Sequence, residues 1–322
     1  MAKYRNDLPQ MSGDLFLRDG GLETTLFFKK GFPLPEFASF NLVNDDDGRE
    51  VISSHLRSFA AVARDHSVGL ILGTPTWRAS RDWGTKLGYT AETLADAIHK
   101  SVELVVEIRN EFENANTPIV IEGTMGSRTD GYNPKEFMTA EQAEEYHRTQ
   151  IGTFVDTDVD RVTAFTLSYV DEAVGVVKAA RSSKMPVAIS FTLGTDGCLP
   201  TGLNLVDAIE QVDTAAGGGP DYYMINCVHP VYFTETLASG DPRLKRVQGL
   251  MPNASSKSHE ELDEAKELDE GNPAELAEQL HEIRKGMPWV NILAGCCGTD
   301  SRLAKAICEA CGSDFQKSHA AG

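Results

Sequence analysis

The amino-acid sequence predicts a single (β/α)₈ barrel, or TIM barrel, of the α/β class. Eight short apolar runs that suit buried strands alternate with segments whose apolar residues recur at helical spacing. No linker or low-complexity stretch interrupts this alternation, so residues 1–322 are expected to form one domain. Polar or unusual residues also stand at the carboxyl ends of the runs. An open doubly wound sheet is the alternative, but the glycine-rich phosphate-binding fingerprint after the first strand is missing.

The strands are expected at the apolar runs, each of which ends in glycine or a polar residue. A continuous apolar run such as 68–74 is typical of a strand covered on both faces. The predicted strands are 14–21, 68–74, 118–123, 159–166, 186–191, 222–227, 247–251 and 290–294, the seventh being the weakest pattern.

The helices are expected between these runs, and several carry capping signals. Thr139 with Gln142 has the spacing of a capping box, and Asn272 followed by Pro273 combines a cap with a first-turn proline. Thr90 can cap the second helix, and Thr299 or Asp300 the last. The predicted helices are 48–66, 90–114, 139–155, 171–183, 205–215, 272–284 and 299–309.

Composition excludes some classes of partner. The formal net charge of −18 argues against nucleic acid, whose phosphates are bound by clustered Lys and Arg. No segment approaches the roughly 18 apolar residues of a membrane helix, and the polar first ten residues lack the apolar core of a signal peptide. We therefore expect a cytoplasmic protein that acts on small molecules, and an oligomer is compatible with the sequence.

Chemistry in such a barrel gathers at the carboxyl ends of the strands. The polar and cysteine residues predicted at those ends are Asp19, Thr74, Glu122, Asn226, Cys227, Asn253, Cys296 and Cys297. Three cysteines at two strand ends match a catalytic zinc site, which commonly has three protein ligands and one open position. Gly295 and Gly298 would let the backbone turn so that both adjacent cysteines face the metal.

Buried, inert cysteine is the competing interpretation, because free cysteine is often buried. In a reducing compartment the six cysteines are expected as thiols rather than disulfides. Cys308 and Cys311 form a Cys-x-x-Cys pair on a predicted helix without a second pair, and we assign no role to them or to Cys198. His229 could complete a metal site, but a surface or supporting histidine is the favoured interpretation.

At these residues the chain resembles the homocysteine S-methyltransferases. Their zinc-binding barrel carries Gly-Gly-Cys-Cys-Gly at the last strand and Asn-Cys at the sixth, here 294–298 and 226–227. The likeness extends in order over nearly the whole chain. Its further matches are Asp19-Gly20-Gly21-Leu22, Thr74-Pro75-Thr76-Trp77, Glu172-Ala173, Ile189-Ser190-Phe191-Thr192 and Pro252-Asn253-Ala254.

The resemblance implies Zn²⁺ held by Cys227, Cys296 and Cys297, with the acceptor thiol as fourth ligand. Zinc would lower the pKa of that thiol, and its thiolate would attack a methyl group on a sulfonium or ammonium donor. Asp19 is expected to accept a hydrogen bond from the ammonium group of the substrate. The backbone amides of Gly20 and Gly21 are expected to donate to the carboxylate of the substrate. The expected substrate-binding residues are Asp19, Gly20, Gly21, Glu23, Thr74, Trp77, Glu122 and Asn226.

Aromatic faces suit a cationic donor, and Trp77, Tyr132 and Tyr169 lie in predicted loops or strand ends. Ordinary packing is the competing interpretation for each. The acidic run 260–270 has Leu262, Ala265 and Leu268 at helical spacing, which predicts a solvated helix face.

One residue departs from the family pattern. Seven residues before Glu172, where the family usually has a glutamate that binds the amino group of homocysteine, the chain has Phe165. Glu23 or Glu122 is a hypothetical substitute for it.

The favoured function is zinc-dependent methyl transfer to homocysteine, with S-methylmethionine as the preferred donor and methionine as product. The alternatives are transfer to another small thiol, betaine as the donor, and a non-catalytic zinc-binding barrel.

Overall fold

Eight parallel strands form a closed barrel in the structure, a computed structural model that describes residues 2–319. Each strand pairs with the next one along the chain, and β1 pairs with β8 to close the barrel. The strands are β1 (Phe16–Arg18), β2 (Gly69–Gly73), β3 (Ile119–Gly126), β4 (Arg161–Leu167), β5 (Val187–Phe191), β6 (Tyr222–Asn226), β7 (Val247–Met251) and β8 (Ile292–Leu293). The predicted (β/α)₈ barrel is confirmed.

Helices lie between the strands along the chain, and most of them cover the outside of the barrel. They are α1 (Asp46–His66), α2 (Arg81–Lys86), α3 (Ala91–Phe112), α4 (Ala140–Val155), α5 (Val170–Ser182), α6 (Leu205–Ala215), α7 (Thr234–Ala238), α8 (His259–Asp263), α9 (Pro273–Gly286) and α10 (Ser301–His319).

The capping signals read from the sequence operate as predicted. Thr139 and Gln142 form a reciprocal capping box at α4, and the Asn272 side chain accepts from two amides in the first turn of α9. Thr90 caps α3, and the Asp300 carboxylate accepts from the Arg302 amide at the start of α10. Four of the helix starts therefore follow from short-range side-chain chemistry alone.

Some predicted boundaries are wrong. β3 continues to Gly126 rather than ending at residue 123, β8 is reduced to Ile292–Leu293, and α10 runs beyond residue 309 to His319. The extra length of β3 comes from pairing with β4 as far as Gly126 and Phe165, a contact between separate parts of the chain.

Two apolar layers hold the fold together. The larger lies between the strands and the surrounding helices, and a smaller cluster that includes Phe16, Ile71 and Val120 fills the barrel interior. Charged residues are also buried there, with Arg161 only 1% exposed. Within residues 2–319, every helix is too short or too polar to cross a membrane.

Candidate metal and substrate site

Three cysteine sulfurs come together at the carboxyl end of the barrel. Cys227 directly follows β6, and Cys296 and Cys297 follow β8 after a short turn. The three sulfur atoms lie within 4.8 Å of one another, although 69 positions separate Cys227 from Cys296 along the chain. The structure thus brings the three predicted ligands together, while their binding of a metal stays a prediction.

Two of these cysteines differ from the expectation of free thiols. The structure joins Cys227 to Cys296 as a disulfide, with Cα atoms 5.4 Å apart, whereas Cys297 is a free thiol. Sulfur atoms that approach one point can share a metal ion as thiolates, and the same proximity lets two of them bond to each other. Binding by all three sulfurs therefore requires the reduced pair.

The donor set fits a soft or borderline metal ion such as zinc, because thiolate sulfur is a preferred zinc ligand. Burial, followed by the nearby carboxylate of Glu23, raises the pKa of the Cys297 thiol to about 12. A thiolate at this position therefore needs a compensating positive charge at neutral pH.

The other candidate ligands lie elsewhere. Cys308 and Cys311 are buried in α10, and Cys198 lies in the loop before α6. The His229 ring accepts a hydrogen bond from the Val231 amide and caps a short 3₁₀ turn. Among the described residues these four side chains stand outside the three-sulfur cluster.

Asn253 ties the two cysteine-bearing loops together. Its side-chain amide donates to the carbonyl of Cys227 at 3.0 Å, and its side-chain oxygen accepts from the amide of Cys297 at 3.1 Å. Cys227 has a φ of 57°, the left-handed region that few residues other than glycine adopt. The Asn253 contacts hold this backbone in place, a role that sequence reasoning did not assign although it singled out the residue.

The first loop of the barrel packs directly against the cysteine loop. A side chain at Gly20 would overlap the carbonyl of Gly295, and one at Gly21 would overlap the carbonyl of Thr299. Gly21 also has a φ of 65°, which disfavours other residues. Close backbone packing explains both glycines, and contact between their amides and a substrate stays a prediction.

A cavity of about 610 Å³ opens over the cysteines at the carboxyl end of the barrel. It is lined by all three cysteines and by most of the residues expected to bind substrate. The predicted residues on its wall are Asp19, Gly20, Gly21, Glu23, Thr74, Trp77 and Asn226. A cavity of this size at this end of the barrel is the usual location of a small-molecule site.

Glu122 does not line the cavity, in contrast to the prediction. Because β3 is longer than expected, Glu122 lies in the middle of the strand, inside the barrel and 1% exposed. Its carboxylate contacts Arg18 at 2.9 Å and Arg161 at 3.2 Å, and it accepts from the hydroxyl of Thr163. The carboxylate therefore neutralises buried arginines and has no free face for a substrate.

Arg18 connects this buried network to the cavity and was missed in the sequence. Its guanidinium also lies 3.6 Å from Asp19, whose other oxygen accepts from the Gly73 amide at 2.6 Å. Burial raises the pKa of Asp19 to about 6, although Arg18 and the amide act in the opposite direction. The sequence did indicate that Arg18 is unusual, because a charged residue interrupts the apolar run of β1 at this position.

Thr74 and Asn226 reach the cavity but are hydrogen-bonded within the protein. The Thr74 hydroxyl lies 2.6 Å from that of Thr76. The Asn226 side chain accepts from the Thr166 amide at 3.0 Å and donates to the Thr166 hydroxyl at 3.0 Å. Thr166 has a φ of 60°, so Asn226 stabilises an unusual backbone at the end of β4.

The aromatic residues divide into two groups. Trp77 and Tyr132 line the cavity, and Tyr132 packs against the ring of His259 with centroids 3.7 Å apart. Tyr169 is outside the cavity, where its hydroxyl accepts from the Met138 amide at 3.2 Å. Two of the three predicted aromatic residues therefore reach the cavity, where Arg78 packs on the Trp77 ring and His259 on the Tyr132 ring.

The acidic segment 260–270 is not the solvated helix that its spacing predicted. The helix α8 ends at Asp263, and the chain then turns over the mouth of the barrel. Leu262, Ala265 and Leu268 line the cavity, while most of the acidic side chains are exposed. Leu262 in α8 and Ala265 and Leu268 in the turns beyond it thus cover part of the cavity.

Phe165, the departure from the family pattern, faces the cavity at the end of β4. Its ring lies 4.6 Å from the guanidinium carbon of Arg18, a cation–π contact between two buried side chains. The ring thus places an apolar surface on the cavity wall at the position where the resemblance predicts a glutamate.

Comparison with known proteins agrees with this architecture. The family model described as homocysteine S-methyltransferase matches residues 16–311. Crystal structures of the homocysteine methyltransferase MmuM from Escherichia coli share the fold. Its metallated form is 18% identical, with a TM-score of 0.73 over 91% of this chain and 95% of that one. Its oxidized form is 17% identical, with a TM-score of 0.74, and the match covers 95% of this chain and 99% of that one. No curated protein matches the chain in sequence.

The fold and the site together define a (β/α)₈-barrel enzyme with a cysteine cluster at the carboxyl end of its strands. The family match covers most of the chain, and the chain belongs to the homocysteine S-methyltransferase family. The protein is therefore an S-methyltransferase.

Proposed function

We propose that the protein methylates homocysteine to methionine, with S-methylmethionine as the preferred donor and zinc held by Cys227, Cys296 and Cys297. The observation that carries this proposal is the convergence of three sulfur ligands at a cavity whose wall includes Trp77 and Tyr132. Zinc, when bound, would supply the positive charge that keeps a substrate thiol deprotonated at neutral pH.

The reaction is a direct displacement at carbon. The homocysteine sulfur forms a bond to the methyl carbon as the bond from that carbon to the sulfonium breaks. The electron pair of the broken bond stays on the departing sulfur, so the donor leaves as neutral methionine, and the thiol proton goes to solvent. No oxidant or reductant is needed.

The side chains of the protein contribute by binding and orienting the substrates. The rings of Trp77 and Tyr132 offer π faces to the sulfonium cation. Leu262, Ala265 and Leu268 cover the cavity and limit the access of water. Holding two reactants in line inside such a cavity accounts for much of the acceleration expected of a transferase.

The test is methionine formation by reduced, zinc-loaded protein supplied with homocysteine and S-methylmethionine. Cys297→Ser is expected to lose bound zinc and to lower activity at least about 100-fold, because one of three ligands is removed. Cys198→Ser is the matched control, since Cys198 lies outside the sulfur cluster. This variant should retain both the bound zinc and the activity. Full zinc content and full activity in a Cys296→Ala variant would contradict the proposal.

One observation favours a different thiol as the methyl acceptor. Phe165 places an apolar ring where the family usually has a glutamate, which suits a small thiol that lacks an amino group. Assays with a panel of thiols, each with S-methylmethionine and with betaine, separate the two functions. A non-catalytic barrel would bind zinc through protein ligands alone and show no spectroscopic change on addition of a thiol.

We also propose that residues 1–322 act as one domain on small molecules in the cytoplasm. The net charge of −18 supports the absence of a nucleic-acid partner.

A further inference from the structure

Two half-buried opposite charges on the cavity wall, Arg78 and Glu23, have no ion-pair partner among residues 2–319. The other described charges there without an ion pair are the exposed carboxylates of Asp130, Asp263 and Glu267. Arg18 and Asp19 also line the cavity, but they contact each other at 3.6 Å. Arg78 and Glu23 line the same cavity, and neither makes a salt bridge within the described residues. A charge enclosed in a protein without a counter-ion is costly, and a charged ligand commonly compensates for it.

Arg78 is held rigidly in the loop that follows β2. Its guanidinium carbon lies 4.1 Å from the ring centroid of Trp77 and 3.8 Å from that of Trp83. One terminal N–H group donates to the carbonyl of Thr129 at 3.4 Å, and the buried Nε has no partner. Burial lowers the pKa of Arg78, but a guanidinium remains protonated at neutral pH. The loop thus presents a fixed positive charge.

Glu23 lies in the neighbouring loop, which follows β1. One of its carboxylate oxygens accepts from the hydroxyl of Ser39 at 2.7 Å, and this hydroxyl also lies 3.3 Å from the carbonyl of Pro75. Pro75 begins the segment that carries Arg78, so Ser39 fixes the two loops beside each other. Burial raises the pKa of Glu23, and the hydrogen bond from Ser39 and then the positive charges of Arg18 and Arg78 partly oppose this.

The two unpaired charges match a molecule that carries both signs. We propose that Arg78 binds the α-carboxylate and Glu23 the α-ammonium of an amino-acid substrate. This assignment rests on the proposed function, in which homocysteine and S-methylmethionine are both α-amino acids. Asp19 is a weaker candidate for the ammonium, because Arg18 and the Gly73 amide already contact its carboxylate.

Ligand analogues test the assignment on the unaltered protein. Calorimetry of the reduced, zinc-loaded protein would compare homocysteine with 4-sulfanylbutanoate, which lacks the ammonium, and with 3-sulfanylpropylamine, which lacks the carboxylate. Each analogue is expected to bind about 10- to 100-fold more weakly, the range of one hydrogen bond to a charged group. Equal affinity for all three thiols would exclude the acceptor from this pair of charges, and an unchanged KM for S-methylmethionine in Arg78→Gln and Glu23→Gln would then overturn the proposal.

Two variants assign each charge to its partner. In Arg78→Gln the preference for homocysteine over 3-sulfanylpropylamine should disappear, while in Glu23→Gln the preference over 4-sulfanylbutanoate should disappear. Arg81→Gln is the matched control, since Arg81 is exposed and pairs with Asp82. Arg78→Lys keeps the charge and should retain part of the carboxylate preference. A uniform loss of affinity for all three thiols in Arg78→Gln would show a structural role and reject the assignment.

Kinetics identify which substrate occupies the pair. A rise in KM for homocysteine alone assigns the charges to the acceptor, and a rise for S-methylmethionine alone assigns them to the donor. The proposed function fails separately if the unaltered protein binds these amino acids but transfers no methyl group.

Discussion

Replacement of Asn253 tests how the barrel holds its three cysteines. The side chain is 2% exposed and makes one hydrogen bond to each cysteine-bearing loop. Asn253→Ala leaves the carbonyl of Cys227 and the amide of Cys297 without these partners in a buried region. Each buried unsatisfied group costs about 1 to 3 kcal/mol, so the variant with two such groups should be about 2 to 6 kcal/mol less stable.

The effect on metal binding should be larger than the loss of stability alone suggests. Residues that orient metal ligands typically change metal affinity by about 10- to 100-fold when they are replaced. Competition with a chromogenic chelator would measure zinc affinity, and urea unfolding of the metal-free, reduced protein would measure stability.

A matched asparagine separates metal binding from stability. Asn272→Ala removes the cap of α9, a side chain whose hydrogen bonds lie within the first turn of that helix, and should cost about 1 kcal/mol with zinc affinity unchanged. If Asn253→Ala binds zinc as tightly as the unaltered protein, the bridging role is refuted. The same conclusion follows if Asn272→Ala weakens zinc binding equally.

Three other predictions concern the barrel itself. Glu122→Gln should destabilise the protein by about 3 to 5 kcal/mol in urea unfolding because it removes the ion pair of the buried Arg161 and leaves Arg18 with Asp19 alone. Glu107→Gln, which breaks an exposed ion pair, should cost less than about 1 kcal/mol. Gly21→Ala should weaken zinc binding through its clash with the cysteine loop, whereas Gly88→Ala, at a φ of 82° with open space around it, should cost about 1 to 2 kcal/mol in stability only. Burial raises the pKa of Asp19 to about 6, so ionisation of this carboxyl between pH 4 and pH 7 opposes folding. The free energy of unfolding of the unaltered protein, relative to that of Asp19→Asn, should therefore fall by about 1 to 3 kcal/mol over that range. A constant difference between the two proteins across these pH values would contradict this.

Much of the framework could be read from local patterns. Thr139 with Gln142 and Asn272 with Pro273 mark helix starts because the groups that satisfy the first-turn amides lie within three residues of them. The continuous apolar run of β2 predicts a strand covered on both sides. The cysteines at the ends of two such runs could be placed near each other because parallel strands of a barrel end at one face.

Other features depended on contacts between distant parts of the chain. Glu122 appeared to lie at a strand end, but pairing with β4 extends β3 and carries it into the barrel, where two arginines surround it. The segment after Asp263 has helical spacing, yet its apolar residues turn inward to cover the cavity. Neither result follows from the order of residues within one element.

By itself the sequence determined the alternation of strands and helices, the capped helix starts and the positions of the three cysteines. These features depend on backbone hydrogen bonds and side-chain periodicity over a few residues. The tertiary structure decided which charges neutralise each other, and it left Arg78 and Glu23 unpaired on one cavity wall. Two charged side chains form an ion pair only when their distance in the folded protein is short. Those distances are set when the eight strands close the barrel.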